Sequence, residues 1–257
     1  MTAAVPAPHA VAQVRIGQPP FAYRVEAPDS WTRLETAPNT WQRSVQRVLD
    51  PPERTRRLPA ALRRGAAALL EDAVSVAQQT GVVLCLTKLA VDERGRQFCG
   101  TLSLAWYDST PVAADLAFAR LVAGGNTRPG VELEEFDTPL SRAVLRCDRV
   151  VAPADLDLLL PLGRSHTVQA FVPVPDTHWT ALLSGTVGDP HHLELLTKLV
   201  RWMAGSLQPD LPATPPPTTT RHTTTGHAAA PAPAPQRLTT STGMGKGFRT
   251  TRINQST

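Results

Sequence analysis

Residues 82 to 108 read "VVLCLTKLAVDERGRQFCGTLSLAWYD", two apolar runs separated only by Asp92-Glu93-Arg94-Gly95-Arg96. A link this short predicts a hairpin, because a parallel return would need a crossover of a dozen or more residues. In the second run Leu102, Leu104 and Trp106 alternate with Thr101, Ser103 and Ala105. That is the two-residue period of a strand with one buried face. An antiparallel sheet is therefore the element around which the remaining segments must arrange themselves.

Those segments fit. "FAYRVEA" alternates Phe21, Tyr23 and Val25 with Ala22, Arg24 and Glu26, and Pro28 ends it. The following "PDSW" predicts a turn with Trp31 folded back as an apolar anchor. "NTWQRSVQRVLD" places Trp41, Val45, Val48 and Leu49 at helical spacing, and Pro51 and Pro52 stop it. "LPAALRRGAAALLEDAVSVAQQTG" predicts the longest helix. Leu62, Ala66, Leu69, Leu70, Ala73, Val76 and Ala77 form its apolar stripe, with Gly81 at its C-terminal end. "VAADLAFARLVAGG" is a further helix. "VELEEFDTPLSRAVLRCDRV" returns to strand character, and "HTVQAFVPVP" and "WTALLSGTV" are strands joined at Pro175-Asp176. "PHHLELLTKLVRWMAGSLQ" closes the series as an amphipathic helix with Leu193, Leu196, Leu199, Val200 and Met203 inward. Consecutive strands and separate helices predict an α+β fold, a mainly antiparallel sheet with helices packed on its faces.

Composition sets the limits of the folded part. The 257 residues are 42% hydrophobic and 19% charged, enough for one substantial core. Residues 1–19 read as a flexible leader and 20–208 as the α+β domain. From 209 onward Pro, Thr and Ala dominate and acidic residues stop at Asp210, so 209–257 is expected to be a disordered basic tail. A net charge of +4 is too small to predict specific nucleic-acid binding. Cys85, Cys99 and Cys147 form no C-x-x-C pair and read as buried free thiols of a reducing compartment. The start of the chain lacks a secretory pattern and no run is long and apolar enough for a membrane span, so a cytoplasmic protein is expected.

The opening strand with its P-x-x-W turn (Pro28, Trp31), the long helix ending at Gly81, the central hairpin, the "VPVP" at 172 to 175 and the closing helix with Trp202 together resemble the PsbP-like superfamily. The resemblance spans about 20–208 and implies an α/β/α sandwich. Relatives in that superfamily mostly bind proteins, among them chaperones of type VI secretion effectors, which implies a binding module without a cofactor. The chain lacks the lipoprotein cysteine of the envelope members. Its Ala, Arg, Pro and Thr content with few Lys fits a GC-rich, actinobacterial genome, and a general likeness links it to accessory factors of type VII secretion.

Chemistry-bearing clusters are weak. His191-His192-x-Glu194 lacks the i, i+4 spacing that points two ligands at one ion, and its histidines read as exposed polar residues. Ser165-His166 and Asp176-x-His178 offer hydrolase residue types without a G-x-S-x-G elbow, and "SGTVGD" at 184 to 189 reads as a strand-end turn. Glu132, Glu134, Glu135 and Asp137 read as a solvated strand edge that discourages strand addition. "GMGKGFRTTR" departs from a phosphate loop because Lys246 is followed by Gly247. It reads instead as a short recognition motif, with Phe248 as anchor and Lys246, Arg249 and Arg252 as orienting charges.

The sequence therefore points to a non-enzymatic adaptor or chaperone-like factor with a protein partner. Its candidate contacts are Trp106, Phe171, Trp179, Lys246, Phe248, Arg249 and Arg252, and no cofactor or metal is expected. An enzyme such as a hydrolase and a structural subunit of an assembly are the alternatives.

Overall fold

The computed structural model describes residues 15–50, 60–91, 97–125, 130–148, 166–211, 242–245 and 248–253. It is an α+β fold built on a mainly antiparallel sheet. The main sheet runs β3 (Thr32–Arg33), β4 (Leu84–Val91), β5 (Gln97–Asp108), β9 (Trp179–Val187), β8 (His166–Pro173), β7 (Arg142–Asp148) and β6 (Val131–Asp137), with β1 (Arg15–Ile16) also against β5. Each of these pairings is antiparallel. The expected hairpin is present, with Val91 opposite Gln97. Its connection, 92 to 96, lies outside the described residues. β6 is an edge strand, as its run of carboxylates anticipates.

Strand alternation sorts the two faces of this sheet. On one face Leu102, Leu104, Trp106, Ala170, Val172, Ala181 and Leu183 enter the largest apolar cluster, which is closed by α4 (Leu193–Ser206) and by β2 (Ala22–Pro28). Trp106 is fully buried, with Phe21 and Tyr23 edge-on at ring-centroid distances of 5.7 and 4.8 Å. Trp31 is buried in the same cluster and meets Phe98 edge-on, so the turn after Pro28 does anchor the first long strand. On the opposite face, α1 (Trp41–Leu49) and α2 (Ala60–Gln79) pack over β4, while α3 (Leu116–Gly124) covers Val144, Phe171 and Leu182. The chain thus has helices on both faces of its main sheet.

Local sequence explains how α4 starts. The Asp189 side chain accepts a hydrogen bond from the His191 amide at 2.9 Å, capping a 3-10 turn, Pro190–His192, that leads into the helix. At the other end of the sheet, Gly81 has φ +58°, in the left-handed region, and lets α2 reverse into β4.

Several expectations need revising. Arg15 and Ile16, assigned to the leader, pair with Asp108 and Tyr107. Gln208–Asp210 continues past the closing helix as β10, paired with β2, and the tail contributes β11 (Thr242–Gly245) and β12 (Phe248–Ile253) to a second sheet ordered β10, β2, β12, β11. The main chain of β12 covers an edge of β2 that would otherwise stand open. His192 is 9% exposed and sits edge-on to Phe98, whereas His191 faces out. "WTALLSGTV" is a strand to its last residue, so the strand-end turn read over 184 to 189 is confined to Gly188 and Asp189.

Gly185 is required there by contact. A Cβ on it would stand 2.6 Å from Leu196 Cδ1 and 2.9 Å from Val200 Cγ2, so α4 rests directly on the bare backbone of β9. Gly185→Ala is expected to destabilise the protein by about 1–3 kcal/mol through overpacking. Urea unfolding at neutral pH measures this, and an unchanged midpoint would mean that α4 does not lie against this strand.

A candidate binding groove beside the long helix

The face shared by α1, α2 and α3 is not covered throughout. Between the apolar patches under these helices lies a block of polar side chains defined by strand register. One row is Thr101, Thr186, Thr167 and Asp148, running across β5, β9, β8 and β7. The next is Ser103, Ser184, Gln169 and Arg146. Directly paired residues share a face, so the eight side chains stand together. The row beyond, Leu182, Phe171 and Val144, is apolar because α3 lies on it.

The β5 and β9 part of this block floors a cavity of about 460 Å³. Gly65, Ala68, Leu69, Asp72, Ala73 and Val76 of α2 form its wall. Such a volume is in the range of small-ligand sites, roughly 300–1,000 Å³. The α2 stripe read from the sequence is therefore divided. Ala66, Leu70 and Ala77 are buried, together with Val74, which the stripe did not include, whereas Leu69 and Ala73 border the groove and Val76 is 56% exposed.

Among the described residues, the hydroxyls of Thr101, Ser103, Ser184 and Thr186 have no hydrogen-bond partner. They are held on rigid strands and partly shielded from water, with both donor and acceptor capacity open. Arg146 closes the far end of the block. It is buried, donates to the Ala123 carbonyl at 2.9 Å and contacts Asp148 at 3.0 Å. Asp72 and Cys85 are the titratable groups lining the cavity. Burial pushes the Cys85 thiol up to about 12 and that of its neighbour Cys99 up to about 11, so both stay protonated near neutrality.

The aromatic candidates fall elsewhere. Trp106 is 0% and Phe171 3% exposed, each enclosed by a helix or strand, so neither presents a surface. Trp179 is half-buried and covers Gly17. Phe248, Arg249 and Arg252 belong to β12, opposite Pro28, Ala27 and Arg24 respectively, and Lys246 lies outside the described residues.

Of the hydrolase types among the described residues, His166 and His178 stand at opposite ends of the hairpin formed by β8 and β9. Ser165 lies outside the described residues, His166 is buried in β8, and His178 Nδ1 faces the Val112 carbonyl at 3.0 Å. Among the described residues, no group of three or more His, Cys, Asp or Glu side chains is placed to hold a metal ion. None of their helices is long and apolar enough to cross a membrane. Comparison with protein-family models, curated proteins and solved structures returns no match for this chain.

The groove residues were missed for a reason. Thr101 and Ser103 are visible as the polar half of an alternating strand, but the polar block exists only once β9 and β8 are aligned beside them. Two measurements check its chemistry. Native Cys85 and Cys99 are expected to react with a thiol reagent at pH 8 at least tenfold more slowly than in denaturant. Their raised titration also sets a sign. The unfolded chain loses thiol protons from about pH 8.5. Stability is therefore intact below that value and falls as pH rises toward the folded values. Urea midpoints at pH 7 and 10 are expected to converge in Cys85→Ala relative to the parent chain.

Proposed function

We propose that this chain is a non-enzymatic, protein-binding adaptor or chaperone-like accessory factor. The observation that carries the reading is the groove beside α2. Its floor displays Ser and Thr hydroxyls unpartnered among the described residues, and its wall is apolar apart from Asp72. Side chains that both donate and accept suit a peptide main chain, which alternates the two roles. Along each strand the hydroxyls recur every second residue, about 6.8 Å apart. An extended peptide lying along the groove repeats at the same interval. Leu69, Ala73 and Val76 supply the apolar contact that such a segment needs on its other side.

The groove's own cysteine supports binding over bond-making. Burial keeps the Cys85 thiol protonated, which removes it as a nucleophile at neutral pH. The resemblance to the PsbP-like superfamily points the same way. In this reading the C-terminal segment, with Lys246, Phe248, Arg249 and Arg252, makes the second contact, and two weak contacts joined by a linker give avidity.

A photo-crosslinking residue placed at Val76 tests the proposal in cell extract, with Val112, also exposed, as the control position. Crosslinks to a defined protein at 76 but not at 112 are expected, and Ser184→Leu should abolish them with little change in melting temperature. Identical crosslinks at both positions, or crosslinks indifferent to Ser184→Leu, would sink the reading.

A further inference from the structure

The groove beside α2 is unbalanced in charge. Asp72 is the one charged side chain among the described residues that line it. It is exposed on the wall, and no cation stands within ion-pair distance of it among the described residues. Arg64 lies two turns earlier on α2, about 12 Å along the axis, and does not line the cavity. At the far end of the polar block Arg146 is engaged by the Ala123 carbonyl and by Asp148, so that end carries no net charge. Cys85 adds none, because burial keeps its thiol protonated. Among the described residues, the cavity therefore holds a negative charge with nothing of its own to answer it.

A second feature points into the same space. Thr101 is only 8% exposed, lines the cavity and has no hydrogen-bond partner among the described residues. Its hydroxyl, like those of Ser103, Ser184 and Thr186, accepts as well as donates. An ammonium or guanidinium group only donates, so these oxygens and the Asp72 carboxylate suit a cation, whereas an anion would be repelled by the carboxylate. Leu69, Ala73 and Val76, on the same wall as Asp72, suit the methylene stem that precedes a basic head group. We infer that the groove, within the peptide-binding reading above, selects an extended partner segment that carries a Lys or Arg, with Asp72 as the specificity-determining residue. The main chain of that segment lies on the hydroxyl floor and its basic side chain turns to the wall.

Selection from a library of random heptapeptides on the purified full chain tests this. Bound peptides are expected to be enriched about threefold or more in Lys or Arg at one position. One selected peptide is then measured by calorimetry. Asp72→Asn should weaken it about fivefold, and Asp72→Lys should shift the enrichment to Asp or Glu. Neither substitution should move the urea midpoint appreciably, because the side chain is exposed. Replacing the basic residue of the peptide by Gln should cost the same factor in the parent chain and nothing further in Asp72→Asn. The inference fails if bound peptides show no basic preference, or if that preference survives Asp72→Asn. With Ser184→Leu still abolishing binding, the groove reading then stands without it. Absence of any bound peptide, or binding indifferent to Ser184→Leu, sinks both. Equally tight binding of n-butylammonium would make a small amine the occupant and also overturns the inference.

Discussion

The contact between α4 and the middle of the main sheet is the constraint from which most of the structure follows. Gly185 strips β9 of a side chain so that Leu196 and Val200 lie on its backbone. With the helix seated that low, Trp106 on the neighbouring strand is enclosed by Phe21 and Tyr23 of β2. β2 is held off the main sheet as a second layer, and this separation leaves it with an edge to be filled. Seating α4 also sets the end of the helix, where Leu207 turns outward into β10.

Charge is distributed at the margins of this core. Arg201 of α4 lies over the Phe136 ring at 5.3 Å and pairs with Glu134, while Glu135 on the other face of β6 meets Arg120 and Arg142. The carboxylates of β6 thus clip the edge strand to helices on both sides. These pairs are largely exposed and each contributes modestly, about 0–1 kcal/mol. Their positional effect is larger, since charged side chains on an edge oppose uncontrolled pairing.

How much of this was legible depended on whether local pattern or long-range contact decides. The central hairpin, the helices and the antiparallel character follow from periodicity and short connections. Trp31 as an anchor follows from a turn that ends in a large apolar residue. Ser184 and Gly185 are legible as part of the strand at 179 to 187, but only the approach of Leu196 explains why Gly is placed within it. His191 and His192 are equivalent in composition, and the helix phase alone decides which is buried. The excessive width of the α2 stripe, with adjacent apolar pairs at 69–70 and 76–77, was the available sign that the helix serves two surfaces. The strands at 242–253 left a weaker trace, because their partner is more than two hundred residues away in sequence.

The alternation of Thr101, Ser103, Ser184 and Thr186 with large apolar neighbours has a consequence for assembly. Were β9 to join β5 one position out of step, its hydroxyls would be forced under α4 with nothing to bond, and Leu183 would be thrust into open water. Both errors are costly, so mispaired chains are rejected early. The groove's polar floor therefore acts as proofreading for the sheet that displays it.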